Sequence, residues 1–169
     1  MEFEKVIRDR MSVRKFSDRK VEPEKLQKIL EAGQVAPTGK NSQAFHIYVL
    51  ESEAALQKAD TITRCRYNAP AVLLVTGRPQ GAFVSDKGHS FYEIDASIVT
   101  THMMLEAANL SVDSVWIGLF DPEDTAKVFD LPEDEVPVAL LDLGYRTDDC
   151  PDNPRHTQYR PLDELVTRL

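Results

Sequence analysis

Two short runs of almost wholly apolar residues, at positions 71–76 and 136–143, limit the possible folds of this sequence more than any other feature. A strand that carries apolar side chains on both faces is stable only when other elements cover both faces. The two runs therefore predict buried strands inside a layered domain.

Helical patterns surround these runs. Residues 2–10 predict a short helix, and Pro23 suits the first turn of a second helix that Gly33 is expected to end. The longest helical pattern covers residues 92–110, and its width predicts a central helix with most of its surface covered. The residues expected on its buried face are Ile94, Ile98, Thr101, Leu105 and Ala108, widened by Met103, Met104 and Ala107.

The remaining segments complete an α+β pattern. Residues 45–50 and 112–120 have the composition of extended segments, and residues 162–169 predict a short closing helix. Ser52 and Asp121 are expected to cap the starts of two further helices, because their side-chain oxygens can accept from free backbone N–H groups. We therefore predict one layered domain of helices packed around about four short strands.

Length, charge and cysteine content exclude several classes of protein. The 169 residues fit one domain, 1–169, and the net charge of −8 argues against binding of nucleic acid or of an anionic membrane surface. No stretch approaches the roughly 18 apolar residues of a membrane span. Cys65 and Cys150 make neither a disulfide framework nor a zinc site. We therefore expect a cytoplasmic protein that binds neither nucleic acid, membrane nor metal.

The first candidate site is the segment that contains Arg10, Ser12 and Arg14. In an extended segment these three side chains point to one side. Arginine binds phosphate through paired, charge-assisted hydrogen bonds, and a serine hydroxyl adds a donor. The spacing fits an anion site, and it fits a pair of surface arginines beside a turn serine equally well.

The second candidate is the segment Ala-Pro-Thr-Gly-Lys-Asn-Ser-Gln at positions 36–43. Proline, glycine and asparagine supply turn geometry. The side-chain amides of Asn41 and Gln43 both donate and accept hydrogen bonds, which suits the edge of a heteroaromatic ring. The alternative is an ordinary connecting loop.

Gly118 and the C-terminal segment are the other candidates. A glycine within a strand-like run often marks the close approach of a ligand or another chain to the backbone. Residues 147–169 form an arm with three prolines, and its residues Arg155 and Arg160 lie in a stretch too polar for a core. The arm fits either a cover over an anion or a tail that packs on a partner.

The order of these motifs resembles that of the FMN-dependent nitroreductase family, especially its short-chain members. Those open with an Arg-x-Ser-x-Arg/Lys segment, matched by residues 10–14, and continue with an Ala-Pro-(Ser/Thr)-x-x-Asn-x-Gln loop, matched by residues 36–43. Further matches are Ala-Gly at 32–33, Ala-Pro at 69–70, Trp-Ile-Gly at 116–118 and Pro-Arg-His at 154–156. The resemblance spans nearly the whole chain.

The resemblance implies an α+β fold with a central mixed or antiparallel sheet flanked by helices. It also implies a domain-swapped homodimer with two FMN sites at its interface, and an arm of residues 147–169 that reaches the partner subunit. It assigns three residues of the first motif, Arg10, Ser12 and Arg14, to the phosphate of FMN. An arginine of the arm would complete this anion site, and both Arg155 and Arg160 are candidates.

The resemblance also assigns residues to the isoalloxazine ring. Main-chain amides around Gly118 and Leu119 would reach N5 and O4 of the flavin. The residues expected to border the ring, contributed by the other subunit, are Pro37, Thr38, Gly39, Asn41 and Gln43.

The sequence departs from the family pattern at three places. Ser111 stands where the family usually has glycine, so the turn there is expected to differ. Gln43 is followed by Ala-Phe rather than Pro-Trp. The family's flavin-contacting lysine has no sure counterpart before the Ala-Pro pair, where Arg64 and Arg66 are the candidate substitutes.

By this resemblance, the chain is an oxidoreductase in which the flavin takes a hydride at N5 from NADH or NADPH. A nitroaromatic, quinone or flavin acceptor would then be reduced in a ping-pong mechanism. The flavin carries the chemistry, so no side chain is predicted as a catalytic nucleophile or metal ligand. Two alternatives remain: an FMN storage or sensing protein with little turnover, and a ligand-binding module without flavin.

Overall fold

The computed structural model describes residues 2–169, which form an α+β domain around one sheet. The four strands are β1 (Phe45–Leu50), β2 (Ala71–Gly77), β3 (Asp113–Ile117) and β4 (Val136–Gly144). They follow the spatial order β1-β2-β4-β3, and all neighbours are antiparallel. Every residue of β2 is buried, as is most of β4, so the two apolar runs form the central strands as predicted.

Six helices surround the sheet. They are α1 (Phe3–Asp9), α2 (Pro23–Gln34), α3 (Glu53–Ile62), α4 (Tyr92–Asn109), α5 (Pro122–Val128) and α6 (Leu162–Leu165). The two predicted caps are confirmed, since the Ser52 side chain accepts from the Ala55 N–H and the Asp121 side chain accepts from the Asp124 N–H. Within residues 2–169 no helix combines the length and apolar character needed to cross a membrane.

The sheet separates two apolar cores. On one face, Leu73 and Leu141 of the central strands pack with Ile29 of α2 and Met103 of α4. On the other face, the core contains the neighbouring positions of the same strands together with the N-terminal segment and α3. Its members that are at most 2% exposed are Val13, Ala59, Ala69, Val72, Leu74, Val115 and Leu140. The period of two along each strand places alternate side chains in the two cores.

The predicted buried face of α4 is confirmed at Met103 and Ala107 and wrong for the rest of the stripe. The other predicted residues are half-buried or exposed, namely Ile94, Ile98, Thr101, Met104, Leu105 and Ala108. The buried residues are Asp95, Ala96, Val99, Thr100, Met103 and Ala107. Because apolar residues occur around nearly the whole circumference of α4, the sequence pattern could not show which face is buried. Ala96 and Ala107 allow the close approach to neighbouring elements that Ile94 and Leu105 would prevent.

Gly33 was expected to end α2, but the helix continues through it to Gln34. A Cβ at Gly33 would lie 2.9 Å from Cγ of Met103, so the missing side chain lets α2 and α4 approach closely. This glycine is explained by interhelical packing and not by helix termination.

The C-terminal arm lies on the surface of the domain. Its helix α6 ends at Leu165 and is shorter than the predicted 162–169. Nε2 of His156 lies 3.1 Å from the carbonyl oxygen of Arg8, which places the middle of the arm beside the end of α1. The apolar side chains that the arm leaves exposed are Tyr159, Leu162, Leu165, Val166 and Leu169.

Candidate functional site

The segment with Arg10, Ser12 and Arg14 is extended, as predicted, and runs beside β3. Ser12 forms a parallel bridge with Ser114, and the Val13 N–H donates to the Ser114 carbonyl oxygen at 3.0 Å. The Val13 side chain is fully buried, so alternation turns Ser12 and Arg14 away from the core. The edge strand β3 therefore holds this segment in place.

Arg10 marks the junction between α1 and the extended segment. It is half-buried, and one of its terminal nitrogens lies 4.0 Å from Sδ of Met104. It lines a cavity of about 200 Å³ together with Asp9, Ser111 and Arg146. Ser111 has a φ of 57°, so this position keeps the left-handed turn that favours glycine even though serine occupies it.

Gly118 and Leu119 follow directly after β3 and line a second, open cavity of about 690 Å³. No atom lies within 4 Å of the position that a Cβ of Gly118 would occupy. The glycine is therefore not required by packing within the protomer. The space beside its backbone is free for a ligand or another chain.

The Arg10–Arg14 segment and Gly118 lie near opposite ends of the same strand, β3. Ser12 pairs with Ser114, and Gly118 lies four residues further along, a distance of about 13 Å at about 3.3 Å per residue. An elongated ligand of about this length, with an anionic end and a polar ring, could contact both the Arg10–Arg14 segment and the backbone at Gly118.

The structure distinguishes the two arginines that were candidates for the missing lysine. Arg64 lines the cavity beside Gly118. Arg66 is engaged elsewhere: it donates to the Asp60 carboxylate at 2.6 and 2.7 Å and to the Ala69 carbonyl oxygen at 2.8 Å. Of this pair, Arg64 therefore lies beside the cavity, whereas Arg66 is held by Asp60 and Ala69.

The loop between α2 and β1 has an unusual backbone. Lys40, Asn41 and Gln43 adopt φ values between 51° and 55°, in the left-handed region. Each such residue costs about 1–2 kcal/mol relative to right-handed backbone, so the surroundings must hold the loop in this form. Asn41 and Gln43 are exposed, and their amides face solvent in the protomer.

Contacts from outside and inside the loop hold it. Within the loop, the Gln43 N–H donates to the Thr38 hydroxyl at 3.0 Å. From outside, Asp95 of α4 accepts from the Gly39 N–H at 2.9 Å and from the Ser42 hydroxyl at 3.5 Å. Asp95 is 1% exposed. The sequence analysis missed it, because an acidic residue in the first turn of a helix is commonly explained by the helix dipole.

The strand order divides the predicted residues into two groups. The loop leads directly into β1, whereas Gly118 follows β3, and these strands are opposite edges of the sheet. Three strand spacings of about 4.8 Å separate them, or about 14 Å. Within one protomer, the structure brings the Arg10–Arg14 segment and Gly118 to one edge, and places Pro37, Thr38, Gly39, Asn41 and Gln43 at the other.

The two arginines of the arm are in different surroundings. Arg155 adjoins His156, the residue that contacts α1. Nε of Arg160 donates to Glu164 at 3.2 Å in an exposed pair. The contact between His156 and Arg8 therefore places Arg155 one residue from a point of contact with the end of α1.

A buried carboxylate, Glu135, lies before β4 and was not predicted. Burial disfavours its charge, but hydrogen bonds from Arg78, His46, Tyr48 and Thr76 outweigh burial and lower the pKa of Glu135 to about 2. Burial, with the bond to Glu135, raises the pKa of Tyr48 to about 12. This cluster fastens the start of β4 to β1 and β2.

A second buried carboxylate, Asp142, lies in the middle of β4 between Val72 and Val115. Neither of its oxygens has a hydrogen-bond partner among residues 2–169. Burial raises the pKa of Asp142 well above its usual range, because an apolar environment disfavours the charged form.

Comparison with known proteins agrees with this fold and set of motifs. The sequence profile of the nitroreductase family matches residues 7–66 and 64–145. A protein of Archaeoglobus fulgidus with the provisional name NADH dehydrogenase/NAD(P)H nitroreductase is 32% identical over 152 residues, which are 86% of each chain.

Two solved structures extend the comparison. A nitroreductase family protein from Clostridium difficile 630 has a TM-score of 0.93 and 36% identity, over 99% of this chain and 98% of that chain. A protein from Exiguobacterium sibiricum 255-15 with the provisional name nitroreductase, solved in complex with FMN, has a TM-score of 0.86 over 100% and 98% of the two chains. Its 20% identity supports a likeness of fold alone. Because the family profile covers most of the residues and the relative from Archaeoglobus is similar over nearly the whole length, this chain belongs to the nitroreductase family.

Proposed function

We propose that the chain is an FMN-dependent oxidoreductase that uses NADH or NADPH to reduce a nitroaromatic, quinone or flavin acceptor. The observation that carries the proposal is the arrangement along β3, where a basic segment lies near one end and an open glycine backbone follows the other. The relatives named for NAD(P)H-dependent reduction support the same activity.

The basic segment would hold the phosphate of FMN. Arg10 and Arg14 supply forked, permanently charged donors, and Ser12 adds a hydroxyl between them. Of the two arginines in the arm, the position of Arg155 near the end of α1 favours it over Arg160 as the additional phosphate ligand.

The cavity beside Gly118 would take the ring. The main-chain N–H groups of Gly118 and Leu119 would donate to N5 and O4, and Arg64 would stabilise negative charge at N1 and O2 as a preorganised cation. When bound, the flavin supplies hydride and electron transfer between the nicotinamide and the acceptor. The protein's part is to orient the ring and to leave one face open.

We further propose a homodimer in which loop 37–43 of a second copy completes each site. Its support is the position of the loop and of Gly118 at opposite edges of the sheet. The exposed apolar stripe on α4 and the apolar side chains of the arm, 147–169, are surfaces that a second copy would cover. Exchange of the arms between protomers would give a domain-swapped dimer.

We place this dimer in the cytoplasm. Both cysteines, Cys65 and Cys150, are free thiols, which suits a reducing compartment.

The first experiment is an absorbance spectrum of the purified protein, with identification of the released flavin and an assay of NADH and NADPH oxidation with added acceptors. Bound FMN with acceptor-dependent turnover is expected. FMN without turnover would instead indicate storage or sensing. A protein that takes up no FMN would overturn the proposal.

The phosphate site is tested by Arg10→Ala, with Arg8→Ala as the matched control because Arg8 is exposed and pairs only with Glu4 along α1. Loss of the charged partner of the phosphate should cost about 1.5–3 kcal/mol, or about 10- to 100-fold in FMN affinity. Equal affinity in the two variants would contradict the assignment.

The arm is tested by ending the chain after Pro151. We expect a monomer with weak affinity for FMN, measured by light scattering and flavin fluorescence. A shortened chain that remains dimeric with full FMN content would contradict the exchange of arms.

A further inference from the structure

Asp95 is a buried carboxylate whose hydrogen bonds join the first turn of α4 to the loop before β1. Its side chain is almost inaccessible, yet its partners are the Gly39 N–H and the Ser42 hydroxyl, more than 50 residues earlier in the chain. A carboxylate can only accept hydrogen bonds, so both of its oxygens suit these two donors. Bonds to a charged acceptor are also stronger than those between neutral groups.

The segment fastened by Asp95 contains two of the three left-handed residues of the loop, and the third adjoins it. Gly39 and Ser42 lie on either side of Lys40 and Asn41, and Gln43 follows Ser42. The same anchored glycine packs against the Phe83 side chain, whose Cβ lies 2.9 Å from where a Cβ of Gly39 would be. The two ends of the turn are fixed, whereas its outer residues, Asn41 and Gln43, remain exposed.

We propose that Asp95 is a positioning residue that preorganises the Asn41 and Gln43 amides for the isoalloxazine ring. The inference rests on the proposed FMN site, but assigns a role to a residue that is not among the predicted residues of that site and acts through Gly39 and Ser42. Without the carboxylate, the left-handed backbone loses its support, and the loop must be ordered at the moment of flavin binding. That ordering reduces the affinity for FMN.

The test compares Asp95→Ala with Asp95→Asn and Ser42→Ala. Asparagine keeps a carbonyl oxygen for the Gly39 N–H, and Ser42→Ala removes only the weaker contact. The control is Thr100→Val on the same helix, because the Thr100 hydroxyl is equally buried but bonds only to the Ala96 carbonyl oxygen within α4. FMN affinity and the visible spectrum of bound flavin are measured in all variants.

A second readout needs no flavin. Lys40 is exposed within the loop, so trypsin cleavage after Lys40 in the flavin-free protein reports how often the loop leaves its native form. Asp95→Ala should accelerate this cleavage and lower FMN affinity about tenfold or more, with a changed flavin spectrum. Asp95→Asn should remain within about threefold of the wild type.

The outcomes separate this inference from the proposed function. Wild-type protein that does not bind FMN contradicts the proposed function itself. If the wild type binds FMN and Asp95→Ala matches it in affinity and cleavage, the positioning role is wrong. Equal losses in Asp95→Ala and Thr100→Val would likewise assign Asp95 to general stability. Should Asp95→Ala fail to fold, Ser42→Ala must show a smaller loss of the same kind, and no loss would overturn the inference.

Discussion

Arg66 and Asp60 form a two-pronged ion pair, with guanidinium nitrogens 2.6 and 2.7 Å from the two carboxylate oxygens. The pair fixes Arg66 against the end of α3, and a third bond to the Ala69 carbonyl oxygen completes its environment. Arg64, two residues earlier, is left to line the cavity beside Gly118. Two arginines that the sequence could not separate therefore have different surroundings.

Replacement of these arginines should give opposite results. Arg64→Ala is expected to weaken FMN binding and to lower the reduction potential of the flavin, because a cation near N1 and O2 is lost, while stability is unchanged. Arg66→Ala should instead cost about 1.5 kcal/mol of unfolding free energy with little effect on the potential. Urea unfolding and a flavin redox titration measure both effects. A lowered potential in Arg66→Ala alone would reverse the assignment.

Gly118→Val should leave the fold intact and impair flavin binding. The position has open space for a side chain in the protomer, but a branched side chain there would occupy the cavity. The thermal midpoint of the flavin-free protein should therefore remain that of the wild type while FMN affinity falls. Gly144→Ala is the contrasting control, since its Cβ would lie 2.7 Å from Cδ of Pro70 and should cost about 1–3 kcal/mol. A strongly destabilised Gly118→Val would show that packing, and not the ligand, requires this glycine.

Glu135→Gln should destabilise the protein by about 3 kcal/mol near neutral pH, because Arg78 and the other donors lose a charged, buried acceptor. The folded pKa of Glu135 is about 2, below the unfolded value of about 4.3. Its contribution is therefore complete above the unfolded pKa and is lost as the pH falls from about 5 towards 2. Unfolding free energies measured across this range should decline more steeply in the wild type than in the variant. Parallel declines would contradict the role of the carboxylate.

The contribution of Asp142 to stability should depend on pH in the opposite direction to that of Glu135, and the Asp142→Asn variant tests this. Because the folded pKa of Asp142 is raised, its contribution is greatest below the unfolded pKa of about 3.9 and is lost as the pH rises through the folded value. The wild type should therefore lose stability relative to Asp142→Asn between acidic and mildly alkaline pH. Urea unfolding at pH 5 and pH 8 measures the difference. An equal change in both proteins would show that Asp142 ionises freely in the fold.

Much of the secondary structure follows from local sequence. The central strands are apolar on both faces, and the caps at Ser52 and Asp121 need only a side-chain oxygen and the next turn of backbone. The extended form of residues 10–14 and the motifs that indicate the family are equally local. These features depend on interactions between residues a few positions apart, which the sequence displays directly.

Only the tertiary structure determined three other features. They are the buried face of α4, the different surroundings of Arg64 and Arg66, and the hydrogen bond that the Gly39 N–H donates to Asp95. A helix that is apolar on nearly all sides has no preferred face until its neighbours fit against it, and a carboxylate selects its donors only when distant segments meet. The separation of the loop and Gly118 at opposite sheet edges likewise comes from the strand order. The sequence alone determined which elements form and which chemical groups are present. Only the packing of distant segments decided which groups meet, because burial and hydrogen bonding depend on three-dimensional neighbours rather than on position along the chain.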